Sequence, residues 1–243
     1  MVTLAIDTSE TRGSVALLRE GQSVATESHT DGSDYSEWLI PAVGRVLNAG
    51  HVGMEQIGLF GVATGPGSFT GVRVGLTTVK AWCEVYGTAV VGVSRLEALL
   101  VTGEAEGPGI RPPGGLSVAY YDAQRGQVFG AIYRGEEEGL GRIGDEMVIA
   151  PEALLELVGR EEGAARWITL DPKVITDLAG WSRRTSCGDE MRVCSADLAA
   201  AIARIAEERA KAGLLSDPLA LDANYVRRSD AEIFWKGPAA HVR

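Results

Sequence analysis

The stretch Gly65-Pro66-Gly67-Ser68-Phe69-Thr70-Gly71-Val72-Arg73-Val74-Gly75 constrains this chain more than any other. Ahead of it Gly58–Ala63 reads as a buried strand, and behind it Val72–Tyr86 reads as a helix, so the stretch is a strand-to-helix turn. Ser68 or Thr70 is placed to cap the first free N–H groups of that helix. Glycines at such a turn permit positive φ and let a second backbone, or an anion, come close. The spacing is not that of a Walker loop, which needs Gly-Lys-Ser/Thr, nor G-x-G-x-x-G. A tight βα turn packed through glycine therefore competes with a phosphate loop.

The chain before the turn reads as an antiparallel meander: Val2–Ile6 running into Asp7-Thr8-Ser9, then Ser14–Leu18, then Ser23–Ser28. Asp34–Asn48 is a helix, stopped by Gly50, with Trp38, Leu39, Ala42, Val43, Val46 and Leu47 on one face. Pro41 should kink it or mark a late start. After the turn come a strand at Ala89–Val93 and a helix from Ser94 to about Val101. The order βββαβαβα gives an α/β lobe with a mixed sheet.

Thr102–Gly115 holds five glycines and three prolines and offers little to bury. It reads as a linker, giving lobes at residues 1–103 and 116–243 with the linker at 104–115. The terminal segment is free to pack back on the first lobe. Beyond the linker, Leu116–Tyr121 ends at Asp122 and is answered by Gln127–Tyr133 as a hairpin, with Met147–Ile149 as a third strand. A helix at Pro151–Val158, a strand at Trp167–Leu170 and a long helix capped by Ser195 and reaching about Ala212 follow. The second half thus repeats the first, and Asp7 and Asp122 each close the first strand of their half. Two such lobes facing each other across a cleft resemble the actin-like sugar kinase, Hsp70 and actin superfamily, each lobe a mixed β-sheet with flanking helices. In that superfamily the two aspartates handle phosphate or its metal; the plainer reading is two strand-capping aspartates.

A formal net charge of −10 argues against independent binding of nucleic acid, which needs basic surface to meet phosphates. Met1–Asp7 has no basic start and reaches an acid too early for a signal peptide. No apolar run approaches the ~20 residues of a membrane span. Cys83, Cys187 and Cys194 lack C-x-x-C spacing, so a reduced, cytoplasmic protein without membrane attachment is expected.

His29, His51 and His241 are too far apart for a helical metal site, and His29 and His51 are expected to be solvated. There is no G-x-S-x-G elbow, and Ser9, Ser14 and Ser68 have no visible base. No catalytic residue and no metal site is assigned. Asp7 and Asp122, with Thr8 and Ser9, could hold a magnesium nucleotide, or be the remnant of such a site. In the helix after the turn, Val72, Leu76, Val79 and Cys83 form one apolar row, and Val74, Ala81, Trp82 and Val85 another. Gly71, Gly75 and Thr78 keep a narrow face that a second helix could approach. That second helix is either Asp34–Asn48 or one from another chain, in which case an exposed Trp38 would anchor the contact.

Ala5-Ile6-Asp7-Thr8-Ser9, the Gly65–Gly75 motif, Val91-Gly92-Val93-Ser94-Arg95-Leu96-Glu97-Ala98-Leu99, Asp122–Phe129 and the tail Leu221–Glu232 occur in an order that resembles the bacterial TsaB (YeaZ-like) family of tRNA threonylcarbamoyladenosine biosynthesis. The match spans most of the chain. The resemblance implies a two-lobed actin-like fold and a non-catalytic partner of TsaD, the paralogue that transfers threonylcarbamoyl to the adenosine 3′ of the anticodon in tRNAs reading codons that begin with A. It implies a TsaE-like ATPase as third component, homodimers when the chain is alone, and contact with tRNA only through the partner. The implied interface is a helical bundle that would use Tyr35, Trp38, Leu39, Ala42, Val43 and Val46 of the first helix. From the second it would use Gly71, Val72, Gly75, Leu76, Thr78, Val79 and Trp82. No cofactor is required, and weak binding of ATP or ADP with magnesium is compatible with the family. The chain departs from the family pattern at Tyr35-Ser36, where His-Ser is common, and at Gln124, where D-A-R-x-G has Arg. The competing reading is an actin-like ATPase or small-molecule kinase using Asp7 and Asp122.

Overall fold

The computed structural model describes residues 1–30, 32–105, 114–137 and 139–227. The first half contains β1 (Val2–Asp7), β2 (Ser14–Arg19), β3 (Gln22–Ser28), α1 (Tyr35–Gly50), β4 (Leu59–Ala63), α2 (Phe69–Tyr86), β5 (Ala89–Val93) and α3 (Arg95–Ala105). The second contains β6 (Leu116–Asp122), β7 (Val128–Glu136), β8 (Gly139–Ile149), α4 (Pro151–Arg160), β9 (Ala165–Thr169), α5 (Lys173–Thr176), α6 (Trp181–Ser186), β10 (Glu190–Val193) and α7 (Ala199–Lys211).

The expected meander is present, with β1 antiparallel to β2 and β2 to β3. Its tight turn is possible because Glu20 and Gly21 take positive φ. Ser68 caps α2 by accepting from the Gly71 N–H, and Gly87, at φ 65, ends it. Pro41 lies inside α1, which begins well before it at Tyr35, so the late start is not what the structure shows.

The first sheet runs β3-β2-β1-β4-β5 and the second β10-β9-β6-β7-β8. Read from its other edge, the second sheet has the topology of the first, with β6 in the place of β1 and the same parallel and antiparallel pairings. Alternation along the strands divides the apolar side chains between faces. Leu4, Ile6, Leu17, Phe60 and Val62 meet α1 and α2, while Val118, Tyr120, Ile132 and Trp167 meet α4. The remaining faces are covered by an exchange of helices. α7 packs on β4, β1, β2 and β5, and α3 packs on β6, β9 and β7. Ala5, Ala16, Val91, Leu99, Ala131, Ile168, Ile202 and Ala206 join in one core between the sheets. Each fully buried Leu or Ile there contributes about 1.5–3 kcal/mol.

Two sequence expectations are corrected here. Glu104, expected to open the linker, is in α3. It is buried because it accepts from the Ser117 hydroxyl at 2.7 Å and pairs with Arg166. The linker therefore starts no earlier than residue 106; residues 106–113 and the terminal 228–243, including His241 and the end of the tail motif, lie outside the described residues. The last helix starts at Ala199 rather than Ser195. Its Ala199 N–H is met by the Ser14 hydroxyl of β2 at 3.0 Å, and Ser195 instead closes a local turn with Asp197 N–H.

Candidate functional site

The glycine motif folds onto the turn that leaves β1. Ser68 N–H donates to the Ser9 carbonyl at 2.6 Å, and the Thr8 hydroxyl donates to the Gly71 carbonyl at 2.7 Å. A Cβ on Gly67 would run into the Ser9 carbonyl, and one on Gly71 into the Thr8 carbonyl. At Gly75 it would lie 2.6 Å from Thr8 Oγ1. The glycine spacing is thus required by the chain's own Thr8–Ser9 turn. The expectation that Gly71 and Gly75 form a narrow face for another helix is corrected, because that face is already covered.

Asp7, Thr8 and Ser9 are buried at the base of this loop pair. Asp7 Oδ1 accepts from the Ser9 N–H at 2.9 Å and from the Ser9 hydroxyl, and Asp7 Oδ2 accepts from Arg95 Nε at 3.2 Å. Arg95, the first residue of α3, is itself fully buried, with its guanidinium carbon 4.6 Å from the centre of the Tyr121 ring of β6. The Tyr121 hydroxyl donates to the Pro66 carbonyl at 2.6 Å. Burial works against the Arg95 charge, but Asp7, Tyr121 and Glu10 around it hold its pKa above the ordinary arginine value. Burial also pushes the Glu10 carboxyl up, Arg95 partly opposing it and Asp7 and Asp122 adding to it. Asp122 is half-buried and holds a turn, accepting from Gln124 N–H at 2.8 Å and Gln124 Nε2 at 3.1 Å. Gln124 and Arg125 follow at φ 63 and 60.

The magnesium nucleotide that the sequence allows at Asp7 and Asp122 does not fit these residues. Magnesium needs oxygen ligands in a near-octahedral shell. Both Asp7 oxygens are engaged, one by a resident cation.

The predicted interface residues fall in two classes. Trp38, Leu39, Ala42, Val43, Val46, Val72, Leu76 and Val79 are buried in the core under the first sheet, and Tyr35, Thr78 and Trp82 are half-buried. Trp38 is 7% exposed, so it is no exposed anchor; it packs edge-on against His29 and Tyr35. These side chains form the stripe that apolar periodicity detects, and that stripe faces the sheet. What the two helices present outward is a different set. On α1 it includes Ser36, Ile40 and Arg45, and on α2 Phe69, Arg73, Thr77, Ala81 and Val85. Ile40 is 56% and Val85 72% exposed, large for apolar side chains on a helix. Arg73 lies over the Phe69 ring at 3.6 Å and donates to the Tyr225 hydroxyl at 2.9 Å, tying α2 to the segment that follows α7. The signal that could have found this face is the apolar residues lying off the buried stripe.

His29, expected to be solvated, is buried. Its Nδ1 lies 2.9 Å from the Thr11 carbonyl and its Nε2 2.8 Å from the Ser33 carbonyl, which fixes the approach to α1. Beside it, between the N-terminal ends of α1 and α2, is a cavity of about 430 Å³ lined by Glu10, His29, Tyr35, Ser68, Gly71 and Val74. A cavity of about 880 Å³ lies between α3, α7 and β8, and its charges are largely paired, Glu97 with Arg209 and Glu146 with Arg142. No described helix is long and apolar enough to cross a membrane.

Residues 29–215 match the family model described as TsaD: tRNA N6-adenosine threonylcarbamoyltransferase. The tRNA threonylcarbamoyladenosine biosynthesis protein TsaB of Bacillus subtilis is 30% identical over 184 residues, covering 74% of this chain and 77% of that protein. YeaZ from Pseudomonas aeruginosa superposes with a TM-score of 0.71 at 21% identity, covering 92% of this chain and 99% of the other. A ROK hexokinase from Thermus thermophilus superposes with a TM-score of 0.51 at 12% identity over 88% of this chain and 99% of its own. The two mixed sheets with flanking helices are the actin-like, sugar-kinase fold.

Proposed function

The chain belongs to the TsaB family, and from that premise we propose that it is the non-catalytic subunit that binds and supports a TsaD-like threonylcarbamoyltransferase in tRNA threonylcarbamoyladenosine biosynthesis. The reaction it supports moves threonylcarbamoyl onto the adenosine 3′ of the anticodon in tRNAs reading codons that begin with A. The observation that carries the reading is the contrast between its two surfaces. The cleft aspartates are engaged within the protein, while α1 and α2 turn Ile40, Phe69, Ala81 and Val85 to solvent. An exposed apolar face of this kind is what a partner helix pair covers.

The same face serves a second copy of the chain when the TsaD-like subunit is absent, and a TsaE-like ATPase joins the assembled pair. Contact with tRNA goes through the partner, a view supported by the net charge of −10. The setting is cytoplasmic. Size-exclusion chromatography with the cognate TsaD-like subunit tests the central step. Co-elution as one complex is expected, and separate elution at micromolar concentrations would overturn the reading.

A further inference from the structure

We infer that Arg95 is a resident cation standing where a magnesium nucleotide would otherwise bridge the lobes, and that with Tyr121 it locks the two lobes in one relative position. Residues from four parts of the chain meet across both sheets; Arg95, Tyr121 and the Gly65-Pro66 step close a ring, and Asp7 is tied to it through Arg95. Asp7 ends β1, Arg95 begins α3, Tyr121 lies in β6 and Pro66 in the glycine motif. Asp7 holds the guanidinium through Nε at 3.2 Å, the guanidinium lies over the Tyr121 ring, and the Tyr121 hydroxyl returns to the Pro66 carbonyl. The Arg95 backbone N–H closes the ring by donating to the Gly65 carbonyl at 2.7 Å.

The charge chemistry agrees with a substitute for a bound cation. Among the described residues Arg95 Nη1 and Nη2 are buried without a hydrogen-bond partner, so the Nε bond to Asp7, the opposite charge and the ring contact hold the group. Asp7 supplies the opposite charge, and Glu10 adds to it. A divalent ion entering beside a buried guanidinium would meet like charge in a medium that screens poorly. The sealed Nη atoms offer no opening to a phosphate. The lobes are therefore joined by groups the fold carries permanently. A nucleotide, which comes and goes, has no part in the junction. Arg95 is a positioning residue in this scheme.

The test is hydrogen exchange by mass spectrometry on the full chain, paired with calorimetry using magnesium ATP and magnesium ADP as probes. In Arg95→Ala, amides at residues 65–71 and 120–123 should exchange roughly tenfold faster, while α4 and β9 keep the parent rate. Arg95→Lys, which keeps the cation, should restore much of the protection. Tyr121→Phe removes only the hydroxyl and serves if Arg95→Ala does not fold; exchange at residues 65–71 should again rise. The parent chain should show no saturable heat with either nucleotide. Unchanged exchange in every variant that folds would overturn the lock. Saturable binding of magnesium ATP that Asp7→Asn abolishes would overturn the substitution.

Discussion

Replacing Gly71 by alanine should destabilise the protein by about 1–3 kcal/mol, because the added methyl points into the backbone carbonyl of Thr8, which cannot give way as a side chain can. Urea unfolding measures this, and the loss should appear in the isolated chain as fully as in any complex. An effect confined to partner binding would return Gly71 to the interface. Glu10 gives a prediction with a pH sign. Its pKa is raised by burial, so the folded state binds the proton more tightly than the unfolded one. That contribution is full below the ordinary carboxylate pKa and is lost as pH rises through the folded value. Glu10→Gln should therefore be more stable than the parent at pH 7, with the advantage vanishing as the pH approaches 4, as followed by unfolding at a series of pH values. Asp7 was legible as a strand-ending carboxylate because its position depends on local pattern. The partner Arg95 was not, since an arginine opening a helix ordinarily reads as solvated. Only the fold brings the two side chains together across 88 positions.

At the scale of elements, α1 and α2 each have one face for the sheet and one for solvent. Ile40→Asp and Ala81→Glu should leave the unfolding midpoint nearly unchanged, since both sites are exposed, yet weaken assembly with the TsaD-like subunit by at least about tenfold. Titration by light scattering or calorimetry reads the difference. Normal affinity in both variants would move the interface elsewhere. Ser14→Ala should cost about 0.5–2 kcal/mol by removing the hydroxyl that meets the Ala199 N–H at the start of α7. Element types were legible where periodicity was strong, as in β1, β2, α1 and α2. Periodicity locates the stripe that packs inward, so Trp38, Leu39, Ala42, Val43, Val46, Val72, Leu76 and Val79, assigned to an interface, lie in the core, while Tyr35, Thr78 and Trp82 are half-buried. The cap of α7 was invisible for a different reason. It comes from a strand 185 positions away, while Ser195 supplied a local imitation.

At the scale of the molecule, the repeated sheet order was foreshadowed by the repeated strand–Asp–hairpin pattern, but the exchange of α3 and α7 was not. Helix-to-sheet pairing across the halves leaves no local trace, and glycine-rich composition pulled the expected boundary into α3. One consequence is that the first half does not stand alone. A fragment of residues 1–105 lacks α7 and would expose Ala5, Ala16, Leu18 and Val91; it should show no cooperative unfolding and weak near-ultraviolet circular dichroism. Cooperative unfolding of that fragment would contradict the shared core. The most direct measurement is threonylcarbamoyl transfer to tRNA by the cognate TsaD-like and TsaE-like subunits supplied with threonylcarbamoyl-AMP, run with and without this chain. Modification that depends on the chain and falls with Ala81→Glu is the expected result; equal modification without the chain would contradict an accessory role.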